Sequence, residues 1–430
     1  MLKQLKVVAV VLLSLGMVNV HAEGMKTDSS GFSKEGLEKI THVYQEEVNN
    51  GHIPGVVILI KRHGKLAYNQ AIGYQDKAKQ IPMKRNDIFR NYSMTKPFVA
   101  VAAMQLMEQG KLTLADPVSK FIPELKGMKV AVEEKNKDTV TYKLVTVNRD
   151  IQIIDLLRHT SGIVYGEITK NPFLQDAYKK EKLVNQELAY DVRGLTPDEE
   201  INAFSKIPLS TQPGTNWEYS LSVDLLGRVV EKITGQRLGD YLKDNLFTPL
   251  NMKDTGFMVK KTDLSRLAEP LAVDPFTQKP IHLIDVSQQP QNDSGGAGSV
   301  TTADDYMNFI SMLLDKGSYN HHSILSPASI KLMTSDQLGD RTTLPNSPGQ
   351  LLMGVDGYTF GLGFMVRKEN GLAGVLGSKG EYMWAGAAGT FFWVEPEKDL
   401  CVVVMSQVPG PIRPYYRRLI KDLVDSALVD

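Results

Sequence analysis

Residues 91–102 read Asn-Tyr-Ser-Met-Thr-Lys-Pro-Phe-Val-Ala-Val-Ala, a serine and a lysine three positions apart where an apolar run begins. Pro97 fixes how that run is read. Proline lacks an N–H and damages a helix interior, but the first turn has unpaired donors in any case. The helix carried by FVAVAAMQLM is therefore expected to begin close to Ser93. A hydroxyl placed there lies at the positive end of the helix dipole, which favours a developing oxyanion. Lys96 projects from the same face one turn on, so its amine can approach the Ser93 oxygen. A serine hydroxyl becomes a useful nucleophile only when a base takes its proton. A neutral lysine amine does this in known Ser-Lys variants of the serine-hydrolase arrangement. Ser-x-x-Lys arises by chance roughly once in a chain this long. Here it occurs once, where the helix must start.

The rest of the chain bounds what this pair can serve. At 430 residues it is too long for one small core, so two lobes or one large compact unit are expected. Formal charge is zero, which removes the electrostatic footprint of a nucleic-acid binder. The N-terminus carries Lys3 and Lys6, then VVAVVLLSLGMV, then VNVHA with small residues at the −3 and −1 positions. This pattern reads as a secretory signal cleaved after Ala22, giving a periplasmic or secreted protein with no stable membrane span in the mature chain. The single cysteine, Cys401, excludes an internal disulfide and sits in an apolar strand-like run as a buried thiol. No His-Glu-x-x-His, cysteine pair or phosphate-binding glycine loop occurs, so no metal, nucleotide or other cofactor is expected. No Gly-x-Ser-x-Gly elbow occurs either.

Periodicity divides the chain. Residues 23–32 are polar and read as a flexible leader. Leu37, Ile40, Val43, Tyr44 and Val48 mark one helix face, and the segment after it reads as a hairpin turning at His63-Gly64. Near the C-terminus, YTFGLGFMVRK and GTFFWVEPEKDLCVVVMS look like antiparallel strands, followed by an amphipathic helix. The runs IIDLLRHTSG, SVDLLGRVVEKITGQRLGDYLKDNLF and TTADDYMNFISMLLDKGS are helical by period. The expected architecture is α/β, an antiparallel sheet built from both ends of the chain and flanked by N- and C-terminal helices. Residues 33–108 and 290–430 would form it. Residues 109–289 would form an inserted, mostly helical domain, with a projecting β-hairpin near 128–149.

Four ordered blocks then resemble the serine β-lactamase and penicillin-binding-protein superfamily in its class C-like branch. They are DIFRNYSMTKPFVAVAAMQLMEQGKLTLADPVSKFIPEL, IQIIDLLRHTSGI, PGTNWEYSLSVDLLGRVVEKITGQ and GSKGEYMWAGAAGTFFWVEPEKDL, and the likeness spans nearly all of residues 34–428. The resemblance implies that Ser93 is the acylated nucleophile, Lys96 its proton-handling partner, and Tyr219 the tyrosine that shares acid and base duty. It also implies an oxyanion hole made by the backbone N–H groups of Ser93 and Ala387. The third motif departs from the Lys-Thr-Gly of β-lactamases: Trp384-Ala385-Gly386 stands there, and an indole cannot neutralise an anion. Leu221 stands where the second motif usually ends in an asparagine that contacts the substrate amide and the lysine. Trp384, Ala385, Gly386 and Leu221 are thus expected to shape the substrate pocket. This pattern looks like the class VIII carboxylesterases, which usually carry Trp-Gly-Gly.

The expected partner is a small-molecule ester, or a lactam, and nothing in the sequence sets an oligomeric state. Two alternatives remain open: a β-lactamase or D-amino-acid peptidase using the same nucleophile, and a non-catalytic wall-binding relative. His159 in RHTSG reads as structural, and His321-His322 as solvated. Gly295-Gly296-Ala297-Gly298 reads as a segment packed under the site, where backbones approach closely.

Overall fold

The computed structural model describes residues 30–136, 139–184, 192–341 and 347–429. The signal segment and most of the leader lie outside them. The leader ends earlier than its polarity implied. Phe32 is fully buried, forms a bridge with Leu428, and precedes Ser33, which caps helix α1 (Lys34–Asn49) and donates from its N–H to the Ala427 carbonyl.

Eight strands form one antiparallel sheet. Three come from the N-terminal side: β1 (Gly55–Arg62), β2 (Lys65–Asp76) and β3 (Ile81–Pro82). Five come from the C-terminal side: β4 (Tyr358–Phe360), β5 (Met365–Arg367), β6 (Tyr382–Ala385), β7 (Phe391–Glu395) and β8 (Leu400–Met405). Their spatial order is β4-β5-β6-β7-β8-β1-β2-β3. The two ends of the chain meet at β1 and β8, with Val57 opposite Met405 and Arg62 opposite Leu400. The turn between β1 and β2 is the expected His63-Gly64, both with positive φ, +50° and +72°, which suits a two-residue hairpin. Strands β7 and β8 are buried at every position, because helices cover both faces of the sheet. α1 lies against β2, α4 (Ala303–Leu314) lies against β8, β1 and β7, and α5 (Arg413–Ser426) packs on α1. Cys401 is sealed in β8, its thiol donating to the Ile310 carbonyl at 3.6 Å.

Between the two sets of strands, α2 (Lys96–Glu108) and α3 (Ser222–Thr234) pack together at the centre. Residues 96–106 of α2 are all buried, so the helix has no solvent face. Phe98 anchors it edge-on between Phe247 and Phe309, with ring centroids 5.1 and 4.7 Å away. The hairpin Lys129–Asn136 with Thr139–Thr146 stands apart from the main sheet. The intervening segment is less helical than its periodicity implied. From 268 to 299 the chain is irregular, carrying Pro270, Pro275, Pro280 and Pro290, each of which removes a backbone donor.

A buried ion network fastens α5 to the sheet. Glu381 accepts from Arg367 Nε at 2.7 Å and from Lys421 Nζ at 2.7 Å, and all three side chains are fully buried. Removing one partner of such a group strands the opposite charge in a medium that solvates it poorly. Lys421→Met is therefore expected to lower unfolding stability by about 3–5 kcal/mol, measured by urea denaturation; a change below about 1 kcal/mol would mean the network behaves as a solvated surface pair.

Candidate active site

Ser93 lies in a tight 3₁₀ turn, Tyr92–Thr95, that runs directly into α2 at Lys96, with Pro97 in the first helical turn. Tyr92 takes φ = +47°, a left-handed backbone that a bulky residue adopts only when its surroundings hold it. They do so here. Ser299 accepts the Asn91 N–H at its carbonyl (2.9 Å) and the Asn91 side-chain amide at its hydroxyl (2.9 Å). Its N–H donates to the Thr95 hydroxyl at 3.1 Å. From the other side, Thr390 Oγ1 donates to the Asn91 carbonyl at 3.2 Å.

Three groups meet at the serine. Tyr219 OH donates to Ser93 Oγ at 2.6 Å, and Lys96 Nζ donates to the same oxygen at 3.2 Å. Lys96 is 1% exposed. Its amine also donates to the Gly296 carbonyl at 2.7 Å and meets the Tyr165 hydroxyl at 2.9 Å. It lies 4.9 Å from the Tyr219 ring centroid and 5.5 Å from that of Tyr165. The Gly296 carbonyl is itself fixed. The fully buried Asp224 of α3 accepts the Gly296 N–H at 2.9 Å and the Ser294 hydroxyl at 2.6 Å.

His159 is buried beneath this cluster, with Nδ1 3.0 Å from the Ser220 hydroxyl and its ring edge-on to Tyr219 at 5.0 Å. Burial, then the charge of Lys96, hold its imidazole well below the ordinary histidine range, so it stays neutral. It makes no contact with the Ser93 oxygen, and its place is that of a support for Tyr219.

The serine opens into a cavity of about 340 Å³, the size of a small-molecule site. Ser93, Tyr165, Tyr219, Trp384, Ala385 and Ala387 all line it. Strand β6 supplies one wall, since β5 pairs only with Tyr382 and Met383 and leaves Trp384–Ala385 beyond the ladder. Trp384 packs on Tyr219 (5.3 Å) and Phe360 (5.2 Å). Two of the residues expected in the wall stand elsewhere. Gly386 lies behind it, where a Cβ would collide with the Asn91 carbonyl and the Thr390 hydroxyl, so only glycine fits against the turn that carries Ser93. Leu221 is fully buried at the N-cap of α3 and packs in the core without lining the cavity.

Residues 40–425 match the family described as Beta-lactamase. The chain belongs to the beta-lactamase family. An uncharacterized Mycobacterium tuberculosis protein, MT1414, is 33% identical over 375 residues, covering 84% of this chain and 88% of that one. Esterase EstB of Burkholderia gladioli is 27% identical over 400 residues, covering 88% and 93%. Among solved structures, that of EstCE1, a hydrolase with promiscuous acyltransferase activity, is 28% identical with a TM-score of 0.73, covering 91% of this chain and 98% of that one. This beta-lactamase relative is a serine hydrolase on the family's α/β fold. No helix among its described residues is long and apolar enough to cross a membrane, and none of its described His, Cys, Asp or Glu residues cluster as a metal site.

Sequence reading missed Tyr165 and the Gly296 carbonyl as the partners of Lys96. Tyr165 ends the block RHTSGIVY, but only the folded chain brings it 2.9 Å from an amine 69 residues away. Its hydroxyl gives the lysine a polar contact that Leu221 cannot supply. Tyr165→Phe keeps the ring and removes that contact. It is expected to reduce kcat by about tenfold to a hundredfold with a smaller change in KM, read from steady-state kinetics on a short-chain aryl ester.

Proposed function

We propose that this enzyme hydrolyses small carboxylic esters through a covalent acyl-enzyme on Ser93. The observation that carries the reading is the double hydrogen bond at the Ser93 oxygen, from Tyr219 and Lys96, at the floor of a small cavity walled by Trp384. The Ser93 oxygen attacks the ester carbonyl while its proton passes to the Tyr219–Lys96 pair. The negative charge that develops on the carbonyl oxygen is met by the N–H groups of Ser93 and Ala387, backbone donors indifferent to the change at Trp384. Collapse expels the alcohol, which takes up the proton. Water then attacks the acyl-serine with the same pair as base, releasing the acid and restoring the hydroxyl. EstB is named an esterase and EstCE1 a hydrolase, and both support the ester reading. The N-terminal signal pattern supports export, with cleavage after Ala22 and a periplasmic or secreted mature protein.

The test compares wild type with Ser93→Ala and Tyr219→Phe on short-chain aryl esters and on nitrocefin. Ser93→Ala is expected to abolish turnover and labelling by a fluorophosphonate probe, and Tyr219→Phe to cost about 10²–10⁴ in kcat. Equal ester hydrolysis by wild type and Ser93→Ala would overturn the reading. Nitrocefin turnover matching that of the esters would move the assignment to the lactam.

A further inference from the structure

Residues 386–389 turn the chain from β6 towards β7, and the Gly389 N–H closes the turn by donating to the Gly386 carbonyl at 3.2 Å. The Gly386 N–H donates to the Thr390 carbonyl at 2.8 Å, so the turn is held at its base as well. The carbonyl of Gly386 and the N–H of Ala387 belong to one planar trans peptide, in which the two groups point in opposite directions. Whatever grips the carbonyl therefore aims the N–H. Ala387 lines the Ser93 cavity, while Gly386 lies behind its wall.

On that hidden side the Gly386 carbonyl takes a second donor. Arg417, one turn into α5, donates through one terminal nitrogen to it at 3.2 Å and through the other to the Leu352 carbonyl at 2.8 Å. Arg417 is 5% exposed, its Nε is buried without a hydrogen-bond partner, and among the described residues its guanidinium forms no ion pair. Burial, then the neighbouring Arg413, disfavour its charged form. A guanidinium nonetheless keeps its proton inside a protein. Joining two neutral carbonyls needs only a neutral amide, and a buried charge without a counter-ion costs free energy that carbonyls return only in part. The charge has a use on the peptide it grips. A cation on the carbonyl side polarises the amide and strengthens its N–H as a donor. It does so before substrate arrives, which is the condition for stabilising a transient anion.

We propose that Arg417 is a positioning residue for the oxyanion hole, fixing the 386–387 peptide and strengthening the Ala387 N–H through the Gly386 carbonyl. The inference rests on the acyl-transfer reading of Ser93 and Ala387 and adds a residue to it. As the Ser93 oxygen bonds to the ester carbon, the π pair of the carbonyl moves onto its oxygen, which accepts from the Ala387 N–H. That negative charge lies on the N–H side of the peptide, with the guanidinium on the carbonyl side. The planar ester carries less charge on the same oxygen, so the arginine favours the transition state over the bound substrate.

The test follows single turnovers of 4-nitrophenyl butyrate by excess mature enzyme, each variant normalised to the sites labelled at saturation by a fluorophosphonate. Arg417→Gln keeps a donor and removes the charge. It is expected to lower the maximal acylation rate by about tenfold to a hundredfold with little change in the half-saturating concentration. Arg417→Lys keeps the charge on a single nitrogen and should lose less. Rapid-mix infrared spectra of an isotopically labelled acyl carbonyl give a second readout, which a tie needed only for folding would not move. The acyl-serine band should shift to higher frequency in Arg417→Gln and partway in Arg417→Lys. If Arg417→Gln fails to fold, Arg417→Lys carries both measurements, and wild-type values in both overturn the proposal. So does a loss in Arg417→Gln confined to the half-saturating concentration, or an unshifted band at equal site occupancy. Absence of any acyl band in wild type overturns the acyl-transfer reading and this inference with it, a result distinct from acylation that ignores Arg417.

Discussion

Everything in this molecule is arranged around an amine that has left water without meeting a carboxylate. The three hydrogen-bond partners of Lys96 are neutral oxygens, those of Ser93, Tyr165 and Gly296. Stripping water from an amine on such terms is tolerable only if each oxygen is held in place. Asp224 holds the Gly296 loop, Ser299 and Thr390 hold the turn that carries Ser93, and His159 packs on the tyrosine that shares the serine. The burial of α2 on every side follows from the same need, since a helix free to shift would move the amine out of register with its partners.

What could be read beforehand was what the chain announces locally. Pro97 and the apolar run after it located Ser93 and Lys96, and His63-Gly64 located the first hairpin, because both depend on neighbours in sequence. Tyr219 came through resemblance to a family, since a lone tyrosine in a loop has no periodicity to mark it. Tyr165 and Gly296 stayed hidden because their role exists only across separations of 69 and 200 residues. Leu221 shows a related limit: motif spacing places a residue two positions after Tyr219, but not whether its side chain reaches the cavity or, as here, is buried in the core at the N-cap of α3. Phe32 shows the same limit on composition. A segment polar by composition includes one aromatic that the core accepts.

Helix α5 joins architecture to chemistry. Its far half is pinned by Lys421 to Glu381, and Glu381 in turn by Arg367 of β5, three strands from the seam where the chain's two ends meet. Its first turn faces the Ser93 cavity with Arg413 and Arg417. A basic pair at a helix N-terminus runs against the dipole preference.

The lone thiol has a practical consequence. Cys401 sits inside β8 with no exposed surface, and burial pushes its ionisation far upward, so it stays inert to alkylating reagents in the native protein. A cysteine introduced at an exposed position beside the cavity mouth, such as Leu351, would be the one reactive sulfur on the folded chain. A single environment-sensitive fluorophore could then be attached there without first deleting a native residue, and ligand entry followed optically.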